Sequence, residues 1–136
     1  MDLLNENKKT EESKSSNEIR VTINAPREKV FEYTLEPKNT PKWVEDAIEM
    51  QTDTEQIGIG TKYSNEYITR EVTDYEKNVF LELADMDGDY SCSYSFRKID
   101  EENTELIFFE STNDGSKLEF PIEKRFFEKI KEILEK

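Results

Sequence analysis

The spacing of apolar residues along this chain limits its fold more strongly than any other feature. From about Ile48 to Ser111, apolar and aromatic residues alternate with polar ones, which predicts half-buried β-strands. After Gly115 the spacing becomes three to four, which predicts an amphipathic helix. The apolar stripe of this helix contains Ile122, Phe126, Phe127, Ile130, Ile133 and Leu134. The stripe needs a surface to cover, so we expect an α+β domain in which a C-terminal helix packs on a sheet.

One strand and two short helices are predicted before the alternating region. The strand is indicated by Ile19, Val21 and Ile23. Pro26 is typical of a first helical turn, and Glu36-Pro37 ends that helix because a residue before proline disfavours helical geometry. Thr40-Pro41 predicts a second helix with Thr40 as N-cap. Its apolar face would contain Trp43, Val44, Ala47 and Ile48.

Turn signals divide the alternating region into five or six strands, which makes six or seven with the first. Asp87-Gly88, between two alternating runs, predicts a two-residue hairpin. A length of 136 residues favours one domain. Residues 1–17 are polar and mixed in charge, so we expect a disordered tail followed by a domain over 18–136.

The net charge of −13 argues against nucleic acid and against anionic membrane surfaces, because both need a basic face. No apolar run is long enough for a membrane span, and none has the form of a signal peptide. With a single cysteine an internal disulfide is impossible. We therefore expect a cytoplasmic, acidic protein without membrane insertion.

The sequence contains no histidine, which removes the commonest general base and metal ligand. Asp85, Asp87 and Asp89 suggest a calcium loop, but Tyr90 and Phe96 stand where such a loop needs Gly and Glu. Cys92 has no basic neighbour in sequence and is expected to be an inert core residue. We expect no catalytic constellation, no metal and no cofactor.

Several short stretches resemble those of one superfamily. They are Ile23–Phe31 (INAPREKVF), Pro41-Lys42-Trp43, Gly60–Tyr63, Tyr94-Ser95-Phe96 and Thr104-Glu105-Leu106. Over residues 18–135 the chain resembles the START-like (SRPBCC) superfamily, which includes polyketide cyclases/dehydrases, birch-pollen-type allergens and lipid-transfer domains. The resemblance implies a helix-grip fold, a curved six- to seven-stranded antiparallel sheet around a C-terminal helix. This chain departs from the pattern in its short last helix, from about Pro121, which implies a smaller or more open cavity.

A cavity between sheet and helix would be lined by inward-facing side chains. On one strand Tyr90, Cys92, Tyr94 and Phe96 share a face, which is typical of core packing and equally of a ligand cavity. If Val72 and Phe108 face inward, alternation puts Arg70 and Glu110 inward too, unless a bulge reverses the pattern. The candidate cavity residues are Trp43, Arg70, Leu81, Leu83, Tyr90, Cys92, Tyr94, Phe108, Glu110, Phe126, Phe127 and Ile130.

Arg70 and Glu110 have two interpretations. They can lie near strand ends with their charged tips in water. Alternatively, they enter the cavity and orient a polar end of a ligand.

The leading functional hypothesis is binding of a small apolar or aromatic, lipid-like molecule in this internal cavity. A cyclase- or dehydratase-type enzyme acting on a hydrophobic substrate stays open, because such family members work with few polar groups. A protein-interaction role also stays open, since Trp43 and the adjacent helices resemble a co-chaperone that activates a heat-shock ATPase.

Overall fold

The computed structural model describes residues 14–136 and contains seven strands and three α-helices within them. The strands are β1 (Ser16–Ile23), β2 (Gln51–Thr52), β3 (Lys62–Ser64), β4 (Thr69–Glu76), β5 (Phe80–Asp85), β6 (Tyr90–Asp100) and β7 (Asn103–Thr112). The helices are α1 (Arg27–Leu35), α2 (Thr40–Trp43) and α3 (Lys124–Leu134), with a 3₁₀ turn at Pro37–Asn39. No helix in this part of the chain is long and apolar enough to cross a membrane.

All strands form one antiparallel sheet in the order β1-β7-β6-β5-β4-β3-β2. The predicted architecture, strand followed by short helices, a meander and a last helix, is confirmed. The hairpin at Asp87-Gly88 joins β5 to β6, but its loop spans 86–89 and is longer than the predicted two residues.

The first strand begins within the segment that we predicted to be a tail. Ser16 pairs with Ser111, and Asn17 pairs with Glu110. The predicted boundary at residue 17 therefore falls inside β1. Residues 1–13 of the predicted tail lie outside the described residues.

The second predicted helix is much shorter than expected. Helix α2 ends at Trp43, and Asn39 rather than Thr40 is its N-cap. Val44 is extended (φ −109°, ψ 115°), and Asp46 has a φ of 63°. A left-handed residue ends a right-handed helix, so Ala47 and Ile48 do not join Trp43 on a helical face.

The core lies between the inner face of the sheet and the helices. Phe127 and Ile130 of α3 are fully buried, and Phe127 lies 5.0 Å from Phe108 of β7, measured between ring centroids. From α1, Phe31 packs on Phe96 of β6 at 5.1 Å. The helices thus close the apolar part of the inner face and leave its polar end uncovered.

Candidate functional site

The inner face of the sheet becomes polar towards one end. Strand register places Leu83 opposite Cys92, and Cys92 opposite Glu110. One step further along the strands, Arg70 faces Asp85, and Tyr90 faces Thr112. Residues opposite one another in a sheet share a face. The row formed by Leu83, Cys92 and Glu110 therefore borders a more polar row, which carries Arg70, Asp85, Tyr90 and Thr112.

Glu110 is a buried carboxylate, only 2% exposed, at this border. Its Oε1 accepts a hydrogen bond from the hydroxyl of Tyr90 at 2.7 Å. Its Oε2 accepts from the backbone N–H of Ile122 at 2.7 Å and from Nδ2 of Asn17 at 2.9 Å. Asn17 also donates to the carbonyl of Ile122 at 3.1 Å. One carboxylate thus joins β1, β6 and β7 to the segment that leads into α3.

Arg70 is held in a fixed orientation beside this carboxylate. Its Nε lies 2.7 Å from Oδ1 of Asp85, and its guanidinium group lies 4.8 Å above the ring of Tyr90. The side chain of Arg70 is 28% exposed. The salt bridge and the Tyr90 ring therefore fix the guanidinium group of Arg70, while part of the side chain stays exposed to solvent.

Burial keeps the Tyr90 hydroxyl and the Cys92 thiol, both near Arg70, in their neutral forms. It raises the pKa of the Tyr90 hydroxyl, and the nearby thiol and carboxylate add to that rise. Burial also raises the pKa of Cys92 to about 12, although the charge of Arg70 opposes the shift. At neutral pH Tyr90 is a hydrogen-bond donor rather than a base, and Cys92 is a thiol rather than a nucleophile.

A pocket of about 460 Å³ opens above these residues, and we name it the Arg70 pocket. Its inner wall includes Arg70, Tyr90 and Glu110, and its outer wall is the β7–α3 loop from Ser116 to Phe120. Phe120 is 93% exposed, whereas Leu118 is buried. The loop therefore presents one aromatic side chain with almost no protein contact at the edge of the pocket.

The candidate cavity residues separate into three groups. The apolar ones pack directly on one another in the core: Trp43, Leu81, Leu83, Cys92, Phe108, Phe127 and Ile130, with half-buried Tyr94 against Phe108 at 5.1 Å. The polar ones line the Arg70 pocket: Arg70, Tyr90 and Glu110. The third group is Phe126 alone, which lines a different cleft together with part of Trp43.

Alternation placed Arg70 and Glu110 on the inner face, and both lie there. The bulge in β4 falls after Val72, so it leaves the parity of Arg70 unchanged. Sequence reasoning missed Asp85, Asn17 and Phe120. Strand alternation from Leu83 would also have placed Asp85 on the inner face. Asn17 was missed because it was assigned to the tail, and Phe120 because its loop has no hydrophobic periodicity.

Among residues 14–136, no group of three or more Cys, Asp or Glu side chains is arranged to hold a metal ion. No family model matches this sequence, and no curated protein matches it. Solved structures do match its fold.

A structural-genomics protein from Chromobacterium violaceum superposes with a TM-score of 0.64 at 12% identity, over 90% of this chain and 98% of that one. CalU16 from Micromonospora echinospora gives a TM-score of 0.57 at 18% identity, over 72% of this chain and 59% of CalU16. An HSP90 activator from Plasmodium falciparum gives a TM-score of 0.57 at 17% identity, over 72% and 73%. This protein therefore has a helix-grip fold, a seven-stranded antiparallel sheet closed by a C-terminal helix.

Proposed function

We propose that the protein binds a small molecule with an aromatic or apolar body and a neutral polar group, and that the Arg70 pocket is the binding site. The observation that carries this proposal is a preoriented arginine, with a buried carboxylate behind it, at the floor of an open pocket. Small-molecule sites combine apolar surface with a few placed polar groups in this way.

The polar contact would come from the free side of Arg70. Within the described residues, the side chain of Arg70 donates its hydrogen bond from Nε to Oδ1 of Asp85, so the terminal nitrogens remain as donors. A guanidinium group offers five N–H donors in fixed geometry, and the stacking on Tyr90 holds that geometry. A carbonyl or hydroxyl oxygen of the ligand would accept from these nitrogens.

The charge of the pocket favours a neutral ligand over an acid. Four carboxylates line the pocket (Asp85, Asp89, Glu110 and Glu119) against two cationic side chains, Arg70 and Lys117. An acidic ligand would meet this negative excess, and Arg70 is already paired with Asp85. A neutral oxygen can accept a hydrogen bond without that repulsion.

The apolar contact would come from Tyr90 and Phe120. Phe120 lines the pocket and is 93% exposed, so a ligand ring placed there would remove apolar surface from water on both sides. The size of the pocket, about 460 Å³, lies within the range usual for small-molecule sites, roughly 300–1,000 Å³.

The protonation states of the site favour binding over catalysis. A cyclase or dehydratase that works by general acid–base catalysis would need a group that gains or loses a proton near neutral pH. The pKa values of Tyr90 and Cys92 are both raised away from that range. A co-chaperone role has the support of the shared fold with the HSP90 activator and of the resemblance at Trp43, but no contact of the site favours it.

A fragment screen by ¹H–¹⁵N NMR tests the proposal. Neutral aromatic carbonyl and phenol fragments should shift amide signals of β4, β6 and the Ser116–Phe120 segment. The variant Arg70→Met should weaken these fragments about tenfold, since a buried hydrogen bond to a charged group contributes roughly 1.5–3 kcal/mol. Arg97→Met is the matched control, because Arg97 also pairs with a carboxylate, at 2.8 Å from Glu105, on an exposed part of β6.

Equal affinity in both variants would refute the proposed polar contact. Shifts that map outside the pocket would refute the site.

A further inference from the structure

A second cleft, separate from the Arg70 pocket, lies between α2 and the first turns of α3. Its volume is about 340 Å³. We name it the cationic cleft, and it is lined by Pro41, Lys42, Trp43, Glu45, Arg125, Phe126 and Lys129. No residue of this cleft also lines the Arg70 pocket.

The charge of this cleft is opposite to that of the chain. The whole protein carries −13, yet three cationic side chains line the cleft against a single carboxylate, Glu45. Arg125 is neutralised, because its Nη1 lies 2.9 Å from Glu45 and its Nε lies 2.7 Å from Glu123. The positive excess is therefore carried by Lys42 and Lys129.

The two lysines are available to a ligand. Among residues 14–136, the only salt bridge of Lys129 is to Glu132, at 3.6 Å between exposed side chains, which contributes little. No salt bridge within the same residues involves Lys42, which is exposed on α2. An anionic group placed between them would meet two ammonium groups with little competition.

The cleft also has an aromatic wall. Trp43 is held from behind by Phe127, with 5.2 Å between ring centroids, and Phe126 is half-buried beside it. The indole nitrogen of Trp43 is buried and has no hydrogen-bond partner in the described part of the chain. Trp43 is only 3% exposed, and the guanidinium group of Arg125 lies 4.5 Å over the ring of Phe126. A flat ring would therefore meet the edge of Trp43 and the exposed part of Phe126 next to the two lysines.

We propose that the cationic cleft binds a small aromatic acid, with its ring against Phe126 and the edge of Trp43 and its acidic group between Lys42 and Lys129. The Arg70 pocket then favours neutral ligands, whereas the cationic cleft favours acidic ones. Four carboxylates disfavour an acid in the Arg70 pocket, whereas two unneutralised lysines favour one here. The cleft proposal uses no residue of the other site, so either one can fail alone.

The test uses two fluorescent probes that differ in one group. 8-Anilinonaphthalene-1-sulfonate carries a sulfonate, and N-phenyl-1-naphthylamine has the same rings without it. Trp43 is the only tryptophan of the chain, so its indole N–H gives a single ¹H–¹⁵N signal, and a shift of that signal on adding a probe reports occupancy of this cleft. The sulfonate should bind more tightly than the neutral amine, and salt near 0.3 M should weaken only the sulfonate because the contact is screened.

The double variant Lys42→Gln/Lys129→Gln should weaken the sulfonate on the order of fivefold, since each exposed charge contributes roughly 0.5 kcal/mol. The neutral amine should be unaffected. Lys29→Gln/Lys98→Gln changes the net charge equally at exposed positions elsewhere and should leave both probes unchanged. Equal losses in the two double variants, no loss in either, or an unshifted Trp43 indole signal would each overturn the proposal.

Discussion

At the scale of single residues, Glu110 connects stability to the proposed site. Burying a carboxylate is costly unless hydrogen bonds compensate it. Here Tyr90, Asn17 and the backbone of Ile122 each donate one hydrogen bond. Glu110 therefore contributes to the fold by joining three strands to the segment before α3, and to the pocket by fixing Tyr90.

Glu110→Ala should lower the free energy of unfolding by about 2–4 kcal/mol, because three donors lose their acceptor. Glu110→Gln keeps the shape and one carbonyl oxygen, so its loss should be about 1 kcal/mol. Urea denaturation measures both, with Glu102→Ala as the exposed control. If Glu110→Ala were as mild as the control, the carboxylate would have no structural role.

Cys92 should make stability depend on alkaline pH. Burial raises its pKa from 9.0 to about 12, so the folded thiol keeps its proton after the unfolded one has lost it. The contribution is fully present below pH 9.0 and is lost as pH rises towards 12, at about 1.4 kcal/mol per pH unit.

Urea denaturation between pH 8 and pH 10 measures this slope. Cys92→Ala should make the loss of stability with rising pH shallower near pH 9 to 10. Tyr90 and Tyr63, whose pKa values are also raised, should still make stability fall above pH 10. An unchanged slope in Cys92→Ala would contradict a buried, protonated thiol.

At the scale of elements, the periodicity of hydrophobic residues predicted the order of strands and helices but not all of their bounds. Alternation fixes which face a strand buries, which is why Arg70 and Glu110 were placed correctly. The second helix was predicted too long because Val44, Ala47 and Ile48 have helical spacing. The helix ends at Trp43 because Val44 is extended and Asp46 is left-handed, and periodicity detects neither backbone change.

Adjacent residues of α3 should differ sharply in stability. The sequence put Phe126 and Phe127 on one buried stripe, but Phe127 is fully buried and Phe126 is half-buried beside Arg125. Phe127→Ala should cost about 3–5 kcal/mol, as expected for an aromatic core residue. Phe126→Ala should cost about 1 kcal/mol, from partial burial alone. Thermal and urea unfolding compare the two, and equal losses would mean that α3 is rotated relative to the sheet.

At the scale of the whole molecule, the fold was predictable and the site only in part. The inner-face side chains follow from strand parity, so the floor of the Arg70 pocket could be found from sequence. Its outer wall could not, because the β7–α3 loop from Ser116 to Phe120 has no period. Asn17 was missed because polar residues at the start of β1 resemble a tail, although Asn17 pairs with Glu110.

Native mass spectrometry of the purified wild-type protein and of Arg70→Met and Arg97→Met tests the central claim most directly. The claim is that the Arg70 pocket holds a small neutral molecule. The wild type and Arg97→Met should each carry an additional mass of a few hundred daltons that dissociates on activation, and Arg70→Met should carry much less. Bare protein in all three samples, or equal occupancy in Arg70→Met, would contradict the claim.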